Sequence, residues 1–393
     1  MFAALWDFSS LGLGLVTLLW GGFWGATFLQ VVFWRFVFTN FWKAPPCSSP
    51  QHPDTGQAAA PYPSVSIVIC ARNEAANLNR HLSGVLKQQY AGVFEVIVVD
   101  DASDDGSFAV LETHQKQYPN LRVLRVTEKK RPGKKQALEL GIAAARCEWL
   151  LCTDADCRPA GPHWLASMMR QGKLDPETAI ILGYAPMLPK PGFLQAWARF
   201  EVAFTALQYV AFARMGSPYM GVGRNLAWKK TLFATAGKFE AHADLASGDD
   251  DLFVNAVAGR SNTRACLVPA AFVYSAAKPT WAEWWRQKRR HLSTGVRYRS
   301  KHRRLLGAIA LTHTLHYGLG TLLLLCQQPV LGVLLFYCLR FFFVSLVYTR
   351  AFRLLREHPL LPLLPLWDGL LAVYYGLFVP LVLWRRRTSW QWR

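Results

Sequence analysis

The sequence predicts an α/β domain built on a largely parallel sheet and held between apolar segments long enough to cross a membrane. Three observations predict it. Strand-like and helix-like apolar patterns alternate from Val65 to Thr153; the run Leu11 to Trp34 carries no ionisable side chain; and a second uncharged stretch, Leu305 to Leu339, follows the polar middle of the chain. Of 393 residues, 52% are hydrophobic and 18% charged, too apolar for a disordered chain and too polar for an all-membrane transporter.

Taken in order, Leu11–Trp34 reaches about 36 Å at about 1.5 Å per residue, more than a hydrocarbon core of about 30 Å. It lacks the basic start and the small-x-small site of a cleaved signal, so it is expected to stay as an anchor within residues 1–43. Arg35 and Lys43 follow it and Asp7 precedes it, which directs the rest of the chain to the cytoplasm. Residues 44–63 are rich in Pro, Ser, Gln and Ala and read as a linker. A folded domain is expected over 64–300 and a membrane region over 301–393. There, spans at about 305–326 and 330–349 are separated by Gln327, Gln328 and Pro329, with Lys301, Arg303 and Arg304 before the first and Arg350, Arg353 and Arg356 after the second. The last apolar stretch, 359–384, has two readings: a crossing, which places Arg385, Arg386 and Arg387 outside, or a re-entrant or interfacial element, suited to Pro362, Pro365, Asp368 and Pro380.

The formal charge of +19, from 44 Lys and Arg against 25 Asp and Glu, gathers largely at these membrane ends, where it meets anionic headgroups. No nucleic-acid partner is expected. The eight cysteines should be thiols in a reducing compartment, and the five-residue spacing of Cys147, Cys152 and Cys157 is not a zinc pattern.

Within the domain, Val65–Cys70, Phe94–Val99, Leu121–Val126 and Glu148–Thr153 read as strands. Helices are expected over Glu74–Gln88 behind an Asn73 cap, from Asp104 and Asp105 to about Lys116, and over Lys134–Arg146. In such a sheet, ligands bind beyond the carboxyl ends of the strands, and the polar residues lie there: Ala71-Arg72-Asn73-Glu74, Asp100-Asp101 and Asp154-Ala155-Asp156. Capping and turn roles account for Asn73 or Asp101 singly, but unpaired carboxylates converging on one rim would repel one another, so a cation or ligand donors should join them. Asp154-x-Asp156 after a buried strand suits a hard divalent ion with room for water and phosphate oxygens. Lys134, opening a helix after Gly133, meets an anionic group there or is a solvated basic turn.

Ser66-Ile-Val-Ile-Cys-Ala-Arg-Asn-Glu74, Val98-Val-Asp-Asp-Ala-Ser-Asp-Asp-Gly106, Gly133-Lys-Lys-Gln-Ala-Leu138 and Thr153-Asp-Ala-Asp156 resemble the successive motifs of family 2 glycosyltransferases of GT-A fold. The likeness continues through Met220-Gly-Val-Gly-Arg-Asn-Leu226, Ser247-Gly-Asp-Asp-Asp-Leu252 and Gln287-Lys-Arg-Arg-His291. It implies a nucleotide-sugar donor held by Ala71, Arg72, Asn73, Glu74, Asp100 or Asp101, and Lys134, with Asp156 and Asp154 holding Mg or Mn on the diphosphate. Asp249 matches the general base and Asp250 is its near rival, because Ser247-Gly248-Asp249 stands where the family usually has Thr-Glu-Asp. The same aspartates also suit a cap for a helix beginning near Leu252. Gln287, Arg290 and His291 resemble a Gln-x-x-Arg-Trp signature bordering the acceptor and the diphosphate. An amphipathic juxtamembrane helix, with Trp281, Trp284 and Trp285 at the interface and Arg286, Lys288, Arg289 and Arg290 over headgroups, accounts for the same stretch. The aromatic run Phe200–Phe212 is core or a lipid-facing surface.

The resemblance implies a multi-pass enzyme of the cytoplasmic (inner) membrane, with its catalytic domain in the cytoplasm. It would move one hexosyl or N-acetylhexosaminyl unit, with inversion, to a lipid or lipid-linked acceptor. A processive polysaccharide synthase is the rival within the class. A membrane nucleotidyl- or phosphotransferase and a noncatalytic scaffold are rivals outside it.

Overall fold

The computed structural model describes residues 12–42 and 61–380; most of the expected linker, together with Asp7, Lys43 and Arg385–Arg387, lies outside the described residues. Helix α1 (Leu13–Val32) continues through a wide turn and a tight turn to Trp42. The alternating pattern then folds as β1 (Val65–Ala71), α2 (Ala75–Leu86), β2 (Phe94–Asp100), α3 (Ser107–Gln117), β3 (Leu121–Arg125), α4 (Lys135–Ala144) and β4 (Trp149–Asp154). These four strands pair in parallel in the order β3-β2-β1-β4. Next come β5 (Arg158–Pro159), α5 (Trp164–Leu174), β6 (Ile180–Gly183), α6 (Phe193–Arg214), β7 (Leu226–Lys229), α7 (Thr231–Thr235), α8 (Asp251–Val257), β8 (Thr263–Cys266) and β9 (Val273–Tyr274). Strand β7 inserts antiparallel between β4 and β6, and β8 joins β6 in parallel, giving a mostly parallel seven-stranded sheet of order β3-β2-β1-β4-β7-β6-β8. That is the fold class the sequence predicts.

The period-2 pattern of the strands sends alternate residues into two cores. Ile67, Ile69, Val96, Val98 and Leu151 pack under α2 and α5. Val68, Ile97, Val99, Leu150 and Cys152 face α4 and α6 on the other side, and this second core runs on without a break into the apolar helices. Helix α6 carries the aromatic run, and Phe200, Phe204, Tyr209 and Phe212 are buried in it, so the run is core. Asn73 does not cap α2: it adopts a left-handed turn (φ 57°), its Oδ1 accepts the Asp104 N–H at 3.0 Å, and Asp105 instead accepts the first N–H of α2, from Ala75, at 3.0 Å. An asparagine tolerates αL where the chain must turn sharply after a strand.

Helices α9 (Trp281–Gly295), α10 (Ser300–Leu325), α11 (Val330–Leu354) and α12 (Leu364–Val373) follow. Among the described residues four segments are long and apolar enough to cross a membrane: Gly14–Trp42, Ser300–Leu325, Val330–Leu354 and His358–Phe378. They are tied together by a buried polar cluster. Arg340 and Asp368, 1% and 0% exposed, form an ion pair; the Arg340 guanidinium also donates to Gln30 Oε1 at 3.1 Å and meets His313 Nδ1 at 2.9 Å. Tyr317 donates to the Asp368 carboxylate at 2.6 Å, and Gln30 donates to Thr312 at 2.8 Å. One residue set thereby joins α1, α10, α11 and α12. The described part of the last apolar segment is flanked by contacts to the α/β domain: Glu357, just before it, meets Arg199 at 2.6 Å and Tyr184 at 3.4 Å, and the ring of Phe378 lies 4.1 Å from that of Trp285.

Removing one member of a buried ion pair strands the other, at about 3–5 kcal/mol, whereas replacing both by apolar groups is far less costly. Asp368→Leu is therefore expected to lower the thermal midpoint of the detergent-solubilised protein sharply, and Arg340→Leu/Asp368→Leu to lower it less. A double variant less stable than either single one would contradict this account.

Candidate active site

The carboxyl ends of β1, β2 and β4 lie level, because Ala71 pairs with Asp100 and Cys70 with Asp154 in the sheet register. Neighbouring strands stand about 4.8 Å apart, so Ala71, Asp100 and Asp154 share one rim. Asp100 is fully buried, with Arg125 Nε 3.2 Å away. Asp101 donates its N–H to the Ala71 carbonyl at 2.7 Å and pairs through its Oδ2 with Lys129, while its Oδ1 is buried without a hydrogen-bond partner. Arg72 and Glu74 are half-buried at the turn after β1, and Glu74 accepts from Asn77 Nδ2 at 2.6 Å. Burial, with Asp156 and then Asp154 nearby, raises the Glu74 carboxyl above its ordinary value.

Opposite this rim, the loop before α8 approaches the start of α4. Gly133 has φ +76°, and a Cβ there would stand 2.2 Å from the Ala246 carbonyl oxygen, so only glycine admits the approach. The next residue, Lys134, reaches across: its Nζ lies 2.9 Å from Asp154 Oδ1 and 3.1 Å from Asp249 Oδ2. It is not a solvated basic turn. Burial would lower its ammonium, but Asp154, Asp249 and Asp250 together hold it well above the ordinary lysine value. Burial likewise opposes Asp154, which Lys134, Arg224 and Arg290 nevertheless hold below the usual carboxylate range.

The three consecutive aspartates have different partners. Asp250 accepts the Asp251 N–H at 2.8 Å on one oxygen and the Gly223 N–H at 2.7 Å on the other; it is the cap of α8. Burial and the adjoining Asp249 and Asp251 push its carboxyl up to about 7. Asp251 is buried and accepts from Thr294 and from Tyr298, the latter at 2.7 Å, which joins the α8 start to the end of α9. Asp249 faces Lys134.

Helix α9 carries Gln287, Arg290 and His291. Its Trp284 is buried among Trp197, Tyr374 and Phe378, and Lys288, 7% exposed, pairs with Glu201 of α6. These two residues therefore pack inward, contrary to an interfacial reading of the whole stretch, while Trp281 is 50% exposed and Arg286 is exposed. Gln287 and Arg290 are half-buried, and the positive charge of Arg290 reaches Asp154. His291 lies on the exposed side of α9, where crowding by the protein, then Arg290, Lys288, Arg224 and Lys134, lower its imidazole well below its ordinary value. Arg224 itself is steadied by Ser275. Arg224 and Lys135 lie within the motifs Met220–Leu226 and Gly133–Leu138, where no sequence signal assigns them a role.

Among the described residues no three His, Cys, Asp or Glu side chains form a ready-made metal cage. The donor chemistry still fits a hard divalent ion that takes oxygen ligands from a diphosphate and water. Asp154 and Asp156 stand one residue apart at the rim, and Asp156 is half-buried with the Cys157 thiol 3.4 Å from its Oδ1.

The model of the family described as glycosyl transferase family 2 matches residues 66–186, and that of glycosyl transferase family group 2 matches residues 149–356, more than half the chain. Glycosyltransferase AglE of Haloferax volcanii is 35% identical over 26% of this chain and 33% of its own length. Beta-monoglucosyldiacylglycerol synthase of Synechocystis sp. is 32% identical over 29% of this chain and 24% of its own. The chain thus spans a third or less of these curated relatives. A mannosyltransferase from Pyrobaculum calidifontis, solved in complex with GDP-Man and Mn2+, aligns over 90% of this chain and 98% of its own with a TM-score of 0.55 at 20% identity, a likeness of fold.

Placing a methyl group at Gly133 would drive the Ala246 carbonyl away and strain a left-handed residue by about 1–3 kcal/mol. Gly133→Ala is expected to lower stability by that order in chemical denaturation and to speed amide exchange across 242–250. Unchanged exchange in that segment would show that the contact does not hold the loop.

Proposed function

The chain belongs to the family 2 glycosyltransferases, and on that premise we propose that it is a membrane-bound, inverting enzyme. It transfers one sugar from a nucleotide-sugar donor to a lipid or lipid-linked acceptor. The observation that carries the reading is the Lys134 bridge between Asp154 and Asp249, which brings the donor rim and the aspartate loop to one cleft. The donor's base and ribose lie against Ala71–Glu74, where the unpartnered Oδ1 of Asp101 accepts a hydroxyl or base N–H. Asp156 and Asp154 would hold Mg or Mn; such an ion, when bound, supplies Lewis-acid stabilisation of the diphosphate.

Asp249 is the general base. Asp250 has both oxygens committed to backbone N–H groups and Asp251 is committed to Thr294 and Tyr298, so Asp249 is the member of the run left to face the cleft. It takes the proton of the acceptor hydroxyl as that oxygen bonds to the anomeric carbon and the bond from that carbon to the diphosphate oxygen breaks. Lys134, Arg224 and Arg290 receive the negative charge left on the diphosphate. One displacement with no enzyme nucleophile inverts the anomeric centre.

The lipid acceptor is supported by the four apolar segments and by a relative named for diacylglycerol glucosylation. Basic residues at the domain side of these segments, Arg35, Arg303, Arg304, Arg350, Arg353 and Arg356, favour a cytoplasmic catalytic domain. Flanked by contacts to the α/β domain, the segment 358–378 is a re-entrant or interfacial element. Single transfer is favoured over processive synthesis because the centre of the apolar bundle is filled by Gln30, His313, Arg340 and Asp368.

The test is donor consumption by solubilised full-length protein with Mn, screened over UDP-glucose, UDP-N-acetylglucosamine and GDP-mannose with membrane extract as acceptor. Asp249→Asn is expected to slow transfer about 10²–10⁴-fold while nucleoside diphosphate binding persists. Asp156→Ala is expected to lose the activity that divalent ions sustain. Full turnover in both variants refutes the assigned roles, and a ladder of products on a gel would favour polymer synthesis.

A further inference from the structure

Lys135 is a buried charge that the reaction above leaves unused. It is 0% exposed and sits at the first residue of α4, where the helix dipole disfavours a cation and burial of an unpaired ammonium costs several kcal/mol. Its three N–H donors account for its presence. The Nζ lies 2.7 Å from each of three backbone carbonyls, those of His242, Leu245 and Ser247, so every donor is used. All three belong to the loop that ends in Gly248 and Asp249. The same loop is touched by Gly133, against the Ala246 backbone, and by Lys134, at the Asp249 carboxylate. Three consecutive residues at the start of α4 therefore grip one loop, and Lys135 grips it without touching the cleft.

We propose that Lys135 is a positioning residue for transfer, whose ammonium locks the 242–247 backbone so that Asp249 is presented to the acceptor hydroxyl. The proposal rests on the reading of Asp249 as the base. The lock suits that task because carbonyls on three residues fix the path of the loop, while the Asp249 side chain, held at one oxygen by Lys134, would otherwise swing with it. A base displaced by about 1 Å costs about 10²-fold in rate. The contacts proposed for the base and ribose lie on the opposite rim, and Lys134 keeps its own hold on Asp154 there, so donor binding does not depend on the lock.

The test compares Lys135→Met with Lys230→Met in the full-length solubilised enzyme. Lys230 Nζ donates to the Ala145 carbonyl at 2.6 Å at the far end of α4, so its variant loses a carbonyl-capping ammonium away from the cleft. With the fastest nucleotide sugar of the three named above, Lys135→Met is expected to lower apparent kcat at least tenfold with the donor KM within twofold. Lys230→Met is expected to keep kcat whatever stability it loses. If Lys135→Met does not yield folded protein, Lys135→Gln, which keeps a shorter donor, is read the same way. A variant at 135 with kcat within twofold of the parent, or with a raised donor KM and unchanged kcat, overturns the proposal. Asp249→Asn separates the two ideas: if it is inactive while the 135 variants turn over normally, the base stands and the lock falls; if it is fully active, the base reading falls first.

Discussion

The mutual repulsion of carboxylates around one cleft is the constraint on which the structure turns. Asp154 closes β4, Asp156 follows two residues later, and Asp249, Asp250 and Asp251 come from a loop almost a hundred residues further along. Left alone, such groups resist ionisation, and at Asp250 burial first, then Asp249 and Asp251, push the carboxyl up to about 7. Lys134 is the counterweight. By sitting between Asp154 and Asp249 it holds the Asp154 carboxyl below the usual carboxylate range against its burial and sets the spacing between the donor rim and the loop. The same arrangement leaves negative charge at Asp156 and Glu74 that a divalent ion would offset.

That cleft is physically continuous with the apolar helices. The core under α4 and α6 runs from the sheet into the turns that continue α1 (Trp34, Val37, Phe38, Phe41), α11 and α12, with the Trp367 ring of α12 5.8 Å from that of Phe200 of α6. Helix α9 is fixed at both ends of this path: Lys288 pairs with Glu201 of α6, and Thr294 and Tyr298 reach Asp251 beside the proposed base. A displacement of the apolar helices against α6 is thereby felt at α9, and through Asp251 at the loop that carries Asp249. On the proposed reading of a lipid acceptor, this geometry lets lipid-side packing and the reacting groups share one rigid frame.

Much of this was legible in the sequence because the signals were local. Period-2 apolar runs gave the strands from β1 to β4, and the register of parallel strands necessarily lines up their polar ends, so Ala71, Asp100 and Asp154 had to meet. Asp249 was assigned to the same place only through the resemblance to the family's motifs. What stayed hidden depends on distant partners. Nothing local distinguishes Lys134 from a solvated basic residue; only the approach of a loop more than a hundred residues away turns it into a bridge. The three aspartates looked equivalent until Gly223, Thr294 and Tyr298 supplied partners for two of them. Trp284 and Lys288 carried an amphipathic pattern fit for a membrane surface, and the aromatic side of α6 claimed them for the core. Asn73 had the composition of a cap, but the turn required a left-handed residue and Asp105 took the N–H.

Gly248 shows why, on the proposed reading of Asp249, the positioning burden falls on the backbone. The family pattern puts a glutamate before the base, whereas here the residue has φ +96°, and a Cβ would lie 2.6 Å from the Leu252 side chain. A side chain at 248 would meet both steric strain and the α8 packing, so Asp249 cannot be steadied from the neighbouring position in sequence. The alternatives are its own carboxylate contacts and the path of the preceding loop. Lys134 supplies the first, and the three carbonyls held by Lys135 supply the second. A glycine that frees the loop and a buried lysine that fixes it are thus two halves of one local solution, which explains why an ammonium is tolerated in the first turn of a helix where charge and burial both argue against it.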